Sequence, residues 1–205
     1  MNIHVYGAGN VGGNIIRAAA RAGHTVTVGV RDPSKYDALL QETGATASDS
    51  AAGADIVINT MPHGAAATLL PGAGLANNTV LIDASNVLTW SGGPVHAPPE
   101  GFTSGAARLQ ALVPDVSVVK AFNTFGAEHT TGTADAERPL DHFFAGDDAD
   151  AKATVAAFIE SLNMRPIDLG PLRNAATVEH LAVAWIHLAM VQRRGRGIQL
   201  ALVGG

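Results

Sequence analysis

The sequence predicts an α/β fold: a doubly wound, mostly parallel Rossmann sheet, with a small C-terminal strand and helix extension over about residues 140–205. Three observations predict it. Asn2 to Tyr6 (NIHVY) alternates as a short strand and runs straight into Gly7-Ala8-Gly9-Asn10-Val11-Gly12. A helical run, Asn14 to Arg21, and a second strand, His24 to Val30, follow. Strand, Gly-x-Gly-x-x-Gly, helix and strand thus fit within about 30 residues, the context in which this motif marks a dinucleotide site. Later apolar runs alternate with helical stretches down the whole chain, as βαβ units require. One NAD(P)-binding Rossmann domain over 1–205 accounts for all of them.

Each glycine of the turn has its own task. Gly7 permits the tight turn and Gly9 leaves room for a pyrophosphate against the backbone. Gly12 lets the helix lie close on the strand. The free N–H groups at the helix start then face an anion. The bland alternative is a glycine-rich βα turn that binds nothing.

After the second strand come Arg31-Asp32-Pro33-Ser34-Lys35 and a helical run, Tyr36 to Thr43. An acidic residue at this strand end takes a ribose 2′-hydroxyl, whereas basic residues accommodate a 2′-phosphate. Arg31, Ser34 and Lys35 therefore favour NADP over NAD. Asp32-Pro33 reads as an N-cap and first-turn pair, which gives that carboxylate a structural occupation. Arg31 and Lys35 as a merely solvated helix start is the alternative.

A short strand at Ala45–Ala47 and a one-turn helix at Ser48–Gly53 come next. The buried-strand run Ala54 to Thr60 then ends in Met61-Pro62-His63. Ligands of doubly wound sheets bind at the carboxyl ends of strands, so Thr60, Met61 and Pro62 are candidates to touch ribose or nicotinamide. His63 either points into that cleft or simply opens the helix His63–Leu70. The strand Thr79–Asp83 ends in Ala84-Ser85-Asn86, and the Pro- and Gly-rich stretch from Val87 to Gly101 is long enough for a functional flap. The helix Ser104–Leu112 leads to the strand Ser117–Phe122, followed by Asn123-Thr124. Three strand ends (Thr60; Ser85 and Asn86; Asn123 and Thr124) thus repeat small polar groups on one edge, with Ala121 a further cofactor-binding candidate beside the last. Ordinary turn chemistry is the competing explanation. Residues 130–139 read as an exposed connection. A strand at 140–146, a helix from Ala149 capped by Asp147-Asp148, a strand at 165–169 and a long amphipathic helix over 174–191 complete the chain.

A net charge of −5 without basic runs argues against nucleic acid or an anionic membrane as partner. With no cysteine there is no thiolate site, and the eight histidines show no metal-ligand spacing. Asn2 enters the first strand directly and no apolar stretch is long enough to span a bilayer, so the expectation is a soluble cytoplasmic protein. No nucleophile elbow and no Tyr-x-x-x-Lys pair occurs. Lys120 lies in a strand, either buried or turned into the cleft. A dinucleotide site without an acid–base machine suits hydride transfer between two cofactors, which needs only alignment of two ring carbons and no catalytic side chain.

The pieces GAGNVG at 7–12, VGVRDPSK at 28–35, ADIVINTMP at 54–62, VKAFNT at 119–124, AGDDADAK at 145–152 and IDLGPLRNA at 167–175 together resemble the NADPH-dependent reductases of coenzyme F420. The same pattern is similar to the NADPH-oxidising domain of membrane metalloreductases, and to relatives of unassigned substrate. The resemblance implies that Ala8–Val11 hold the pyrophosphate and that position 30, with Arg31 and Lys35, holds the 2′-phosphate. Val30 departs from the Ser or Thr usual before the arginine; the lost hydroxyl contact falls to Ser34. F420 as second cofactor would lie against the loops after Met61, Asn86 and Asn123 and the Gly170–Leu172 turn. The C-terminal helix would help to build a homodimer. The other readings are an NADPH-dependent reductase of a flavin, quinone, imine or metal chelate, and a non-catalytic dinucleotide-binding regulatory module.

Overall fold

The computed structural model describes residues 1–77, 79–129 and 139–203; most of the connection expected at 130–139 lies outside them. The first half runs β1 (Asn2–Tyr6), α1 (Asn10–Arg21), β2 (Thr25–Gly29), α2 (Asp37–Thr43), β3 (Thr46–Ala47), β4 (Ile56–Asn59), α3 (His63–Leu69) and β5 (Val80–Asp83). The second half runs β6 (Leu88–Trp90), β7 (Pro94–His96), α4 (Gly105–Leu112), β8 (Ser117–Lys120), β9 (Leu140–Gly146), α5 (Ala149–Ser161), β10 (Met164–Asp168) and α6 (Ala175–Ile186).

Eight strands form one sheet in the order β10-β9-β8-β5-β4-β1-β2-β3. From β3 to β8 every neighbour is parallel; β9 is antiparallel to β8, and β10 pairs parallel with β9. The fold class is therefore as expected, with the C-terminal strands continuing the main sheet. Strand periodicity divides the apolar residues between two faces. Ile3, Val5, Ile56, Ile58 and Ile82 pack with α1 and α5 through Ile15, Ile16, Phe158 and Ile159. Tyr6, Val57, Leu81 and Val118 pack on the other face with Leu109 of α4. Register sets Tyr6 beside Asn59, Asn59 beside Asp83 and Asp83 beside Lys120, so four side chains form one row at the carboxyl edge.

Local expectations needed four corrections. Helix α1 begins at Asn10 rather than Asn14, because Gly9 in extended conformation serves as its N-cap. Residues 48–53 are not helical: the Ser48 hydroxyl donates to the Ser50 carbonyl and accepts the Ser50 N–H, and the Ser50 hydroxyl accepts the Ala52 N–H. Such local side-chain bonds compete with a helix. The stretch 87–101 contains a two-stranded hairpin, β6–β7, with Trp90 at its tip 60% exposed. Asp32 precedes the 3₁₀ turn Pro33–Tyr36 without capping it by its side chain, which instead accepts the Ser34 hydroxyl at 2.7 Å. The C-terminal helix runs as expected, α6 being extended by one π-helical turn, His187–Val191.

Candidate functional site

The glycine turn divides its labour in a way that the built structure makes explicit. Gly7 has φ +94°, and its N–H donates to the Gly29 carbonyl at 3.0 Å, tying the turn to the end of β2. A Cβ on Gly12 would stand 2.2 Å from the Gly7 carbonyl oxygen and 2.6 Å from Thr60 Oγ1. A Cβ on Gly9 would meet no protein atom within 4 Å. Gly7 and Gly12 are thus glycines for internal reasons, whereas Gly9 faces open space on the exposed side of the turn. The Thr60 hydroxyl donates to the carbonyls of Tyr6 and Gly7 at 2.9 and 3.1 Å, so its proton pins the turn. Because Gly9 offers no side chain to cap α1, the N–H groups of Asn10, Val11 and Gly12 start the helix without a side-chain acceptor. The turn and the unfilled space beside Gly9 fit a dinucleotide pyrophosphate.

A cavity of about 370 Å³ opens beside this turn, lined among others by Gly9, Asn10, Asn14, Arg17, Lys35 and Tyr36. Lys35 reaches it from the 3₁₀ turn while pairing with Asp32 at 3.4 Å. The hydrogen bond from Ser34 holds the Asp32 carboxyl below its usual range against a small opposing effect of burial, with help from Lys35. Ser34 and Lys35 therefore both contact an anion of their own chain. Arg31 is exposed, with no ion-pair partner among the described residues, and Val30 is half-buried against the core.

The three strand ends do come together. Asn123 Nδ2 donates to Asn86 Oδ1 at 3.1 Å and to the Val178 carbonyl of α6 at 3.4 Å. Asn123 Oδ1 and Ser85 Oγ are buried without partners. Ala121 is fully buried and serves through its backbone, its N–H reaching the Asp83 carbonyl at 3.3 Å. Met61 is half-buried, its N–H held by Asn59 Oδ1 at 3.1 Å, and Pro62 is exposed at the start of α3.

Beneath these ends lies a buried ionic chain that composition and spacing do not signal. Lys120, with no exposed surface, donates to Asp83 Oδ2 at 2.9 Å and to the Ser85 carbonyl, and stands 3.6 Å from Glu179 Oε1. Glu179, 1% exposed on α6, accepts the Gly105 N–H and pairs with His96 of the hairpin at 2.7 Å. At the other end Asp83 Oδ1 accepts Asn59 Nδ2 and the Ser85 N–H. Burial alone would raise the Asp83 pKa, but the Lys120 ammonium and the hydrogen bonds outweigh it and hold the carboxyl below its usual range. One connected network therefore fixes β4, β5, β8, the hairpin, α4 and α6 around the strand-end edge. Lys120 is a strut of that edge. His63 is half-buried beside this network, and both its ring nitrogens lack partners. Burial is the main cause of its lowered pKa.

The segment after β8 carries a second device. Phe122 has φ +62°, a strained value for an aromatic residue, and its N–H donates to Nε2 of fully buried His142 at 2.9 Å. His142 must be neutral at Nε2 to accept, and burial lowers its pKa from 6.5 to about 3. The unfolded chain therefore binds the extra proton first. This contribution to stability is complete above pH 6.5 and is lost as pH falls toward 3, at about 1.4 kcal/mol per pH unit once well below the unfolded value. Urea midpoints should accordingly drop between pH 7 and pH 5, and His142→Gln, which keeps an acceptor, should show less of that drop. An unchanged midpoint would contradict the burial of a neutral ring.

Comparison with known proteins fits this geometry. A crystal structure of an Arthrobacter sp. FB24 protein, named as a candidate F420-dependent NADP reductase, superposes with a TM-score of 0.82. The identity is 32%, over 98% of this chain and 99% of that one. The chain belongs to this F420-dependent NADP oxidoreductase family. The family's own sequence model, NADP oxidoreductase coenzyme F420-dependent, matches residues 2–87, from β1 to just past the Asn86 strand end. Like its family, the chain is an NAD(P)-dependent oxidoreductase. Metalloreductase STEAP2 of Mus musculus is 26% identical over 184 residues, 88% of this chain but only 36% of that protein, so the chain spans about a third of the length of these curated relatives. An imine reductase from Pseudomonas sp. shares the fold, with a TM-score of 0.69 at 19% identity over 94% of this chain and 63% of that one. Among the described residues no helix is long and apolar enough to cross a membrane.

Proposed function

We propose that the chain transfers a hydride between NADPH and coenzyme F420, the two held face to face along the carboxyl edge of the sheet. Full-length similarity to a protein named as a candidate F420-dependent NADP reductase is the observation that carries this reading. In it the pyrophosphate lies on the turn Gly7 to Gly12, and the adenosine 2′-phosphate lies near Arg31, Ser34 and Lys35. Thr60, Met61, Pro62, Ser85, Asn86, Ala121 and Asn123 border the nicotinamide. NADPH when bound supplies the hydride. The residues' part is to bind and orient: free N–H groups at the start of α1 take the phosphates, and the Asn86–Asn123 pair fixes the two loops that flank the second ring. Side-chain acid catalysis is not called for, because each cofactor carries its own electronics.

Leu88 and Trp90, which alternate onto one face of the hairpin and are both exposed, offer apolar contact suited to a second copy of the chain. This extends the homodimer expectation to the hairpin.

Mixing enzyme, NADPH and oxidised F420 should bleach both chromophores in equal amounts. No turnover with saturating cofactors would sink the reading. NADPH consumption with a flavin, quinone, imine or metal chelate instead would select a reductase of another acceptor, the reading favoured by the metalloreductase relatives. NADPH binding without consumption in any mixture would select the regulatory module.

A further inference from the structure

We propose that Arg17 binds the adenosine 2′-phosphate of NADPH and sets the preference for NADP over NAD. The proposal rests on the dinucleotide reading of the glycine turn. The motif does not mark this residue, which lies beyond it in α1.

Helical spacing places Arg17 on the same stripe as Asn10, Gly13 and Asn14. Long side chains on a helix lean toward its N-terminus, in this case toward the glycine turn. All four residues line the cavity of about 370 Å³. The guanidinium is held at one edge only: Nε donates to both carboxylate oxygens of Glu42 on α2, at 2.9 and 2.8 Å. Its two terminal nitrogens have no hydrogen-bond partner among the described residues. Nη1 lies over Gly13, where a Cβ would stand 3.5 Å from it. An exposed pair such as Arg17–Glu42 contributes little stability, but it fixes a planar fork whose free N–H groups border the cavity.

Lys35 supplies a second cation on the same cavity, and its side chain remains 74% exposed despite the contact with Asp32. Arg31, the residue that the strand-end rule singles out, is not among the cavity's lining residues. A planar fork and an ammonium around a space adjoining the pyrophosphate turn match a phosphate monoester dianion, which a guanidinium binds in bidentate fashion. The 2′-hydroxyl of NAD offers that fork no charge. Arg17 thus supplies the contact that Val30, lacking a hydroxyl, cannot make.

Titration calorimetry of the wild type, Arg17→Met and Arg31→Ala with NADPH and NADH tests this. Arg17→Met should weaken NADPH about tenfold to a hundredfold, the range of a charge-assisted contact, and leave NADH unchanged. Unchanged NADPH affinity, or equal loss for both nucleotides, would overturn the role of Arg17. If the wild type prefers NADPH and only Arg31→Ala removes that preference, the dinucleotide reading stands and this inference falls. If the wild type binds neither nucleotide, the dinucleotide reading itself fails; if it favours NADH, the NADP assignment and this inference fail while the dinucleotide reading stands. Should Arg17→Met not fold, Arg17→Lys serves instead: it keeps the charge without the fork and should show a smaller loss, confined to NADPH. Wild-type affinity in Arg17→Lys would overturn the fork.

Discussion

Replacing Lys120 by methionine should destabilise the protein by about 3–5 kcal/mol, the cost of leaving buried charge without its partner. For a chain of this size that is a fall of roughly 6–20 °C in Tm. The reason is electrostatic rather than steric, since methionine nearly preserves the volume. Asp83, with no exposed surface, and Glu179, 1% exposed, would then face each other across a site from which the ammonium they share has gone. The Ser85 carbonyl would lose its donor as well. Adding Asp83→Asn to Lys120→Met removes one of the stranded charges and should recover part of the loss. A urea midpoint that does not move in the single variant would show that the network carries no net stability. The consequence for function follows from position: Lys120 ties together the ends of β5 and β8 and the helix α6, so loosening it should also broaden the geometry of Ser85, Asn86 and Asn123.

Gly12→Ala should cost both folding stability and nucleotide affinity, the latter by about 3–6 kcal/mol if two phosphate contacts are lost. The methyl group would stand 2.2 Å from the Gly7 carbonyl oxygen and 2.9 Å from its carbon, and backbone atoms cannot rotate away as a side chain can. Thr60 would be displaced too, at 2.6 Å, and with it the two hydrogen bonds that close the turn. Gly9→Ala is the informative counterpart. Its methyl group meets no protein atom within 4 Å, so folding should be untouched while NADPH binding falls, because the methyl would enter the space proposed for the phosphate. Thermal melts and NADPH titrations of both variants separate the two roles. Undiminished binding in Gly9→Ala would remove the pyrophosphate from the turn.

A network such as Asp83–Lys120–Glu179–His96 makes the strand-end edge rigid without giving it an acid or base that opens to solvent. That is the property the proposed hydride transfer between two rings asks of its site. The hairpin β6–β7 is part of the same construction, because His96 anchors it to α6 at a carboxylate with almost no contact with water. A flap tied down in this way is held against α6.

Periodicity and the glycine motif sufficed for the doubly wound sheet, the turn from Gly7 to Gly12, the strand ends at 60, 85–86 and 121–124, and the long C-terminal helix. These are local properties: alternation of two, spacing of three and four, and the conformations that only glycine adopts. What remained hidden depends on residues far apart in the chain. Glu179 sits on a helix whose pattern shows only an apolar stripe, and it is 59 positions from Lys120 (179 − 120). A carboxylate on such a stripe reads equally well as solvated until the sheet brings an ammonium beneath it. Arg17 likewise reads as one more polar residue of an amphipathic helix; only the packing of α1 against α2 clamps it to Glu42 and leaves its fork free. The hairpin at 88–96 was masked by its prolines and glycines, which signal a loop equally well. The sequence by itself determined the frame and the glycine turn on which the proposed dinucleotide lies, because both are encoded in neighbouring residues. The tertiary structure alone decided which charges are paired and which remain available, because pairing is set by distances that only the folded sheet creates.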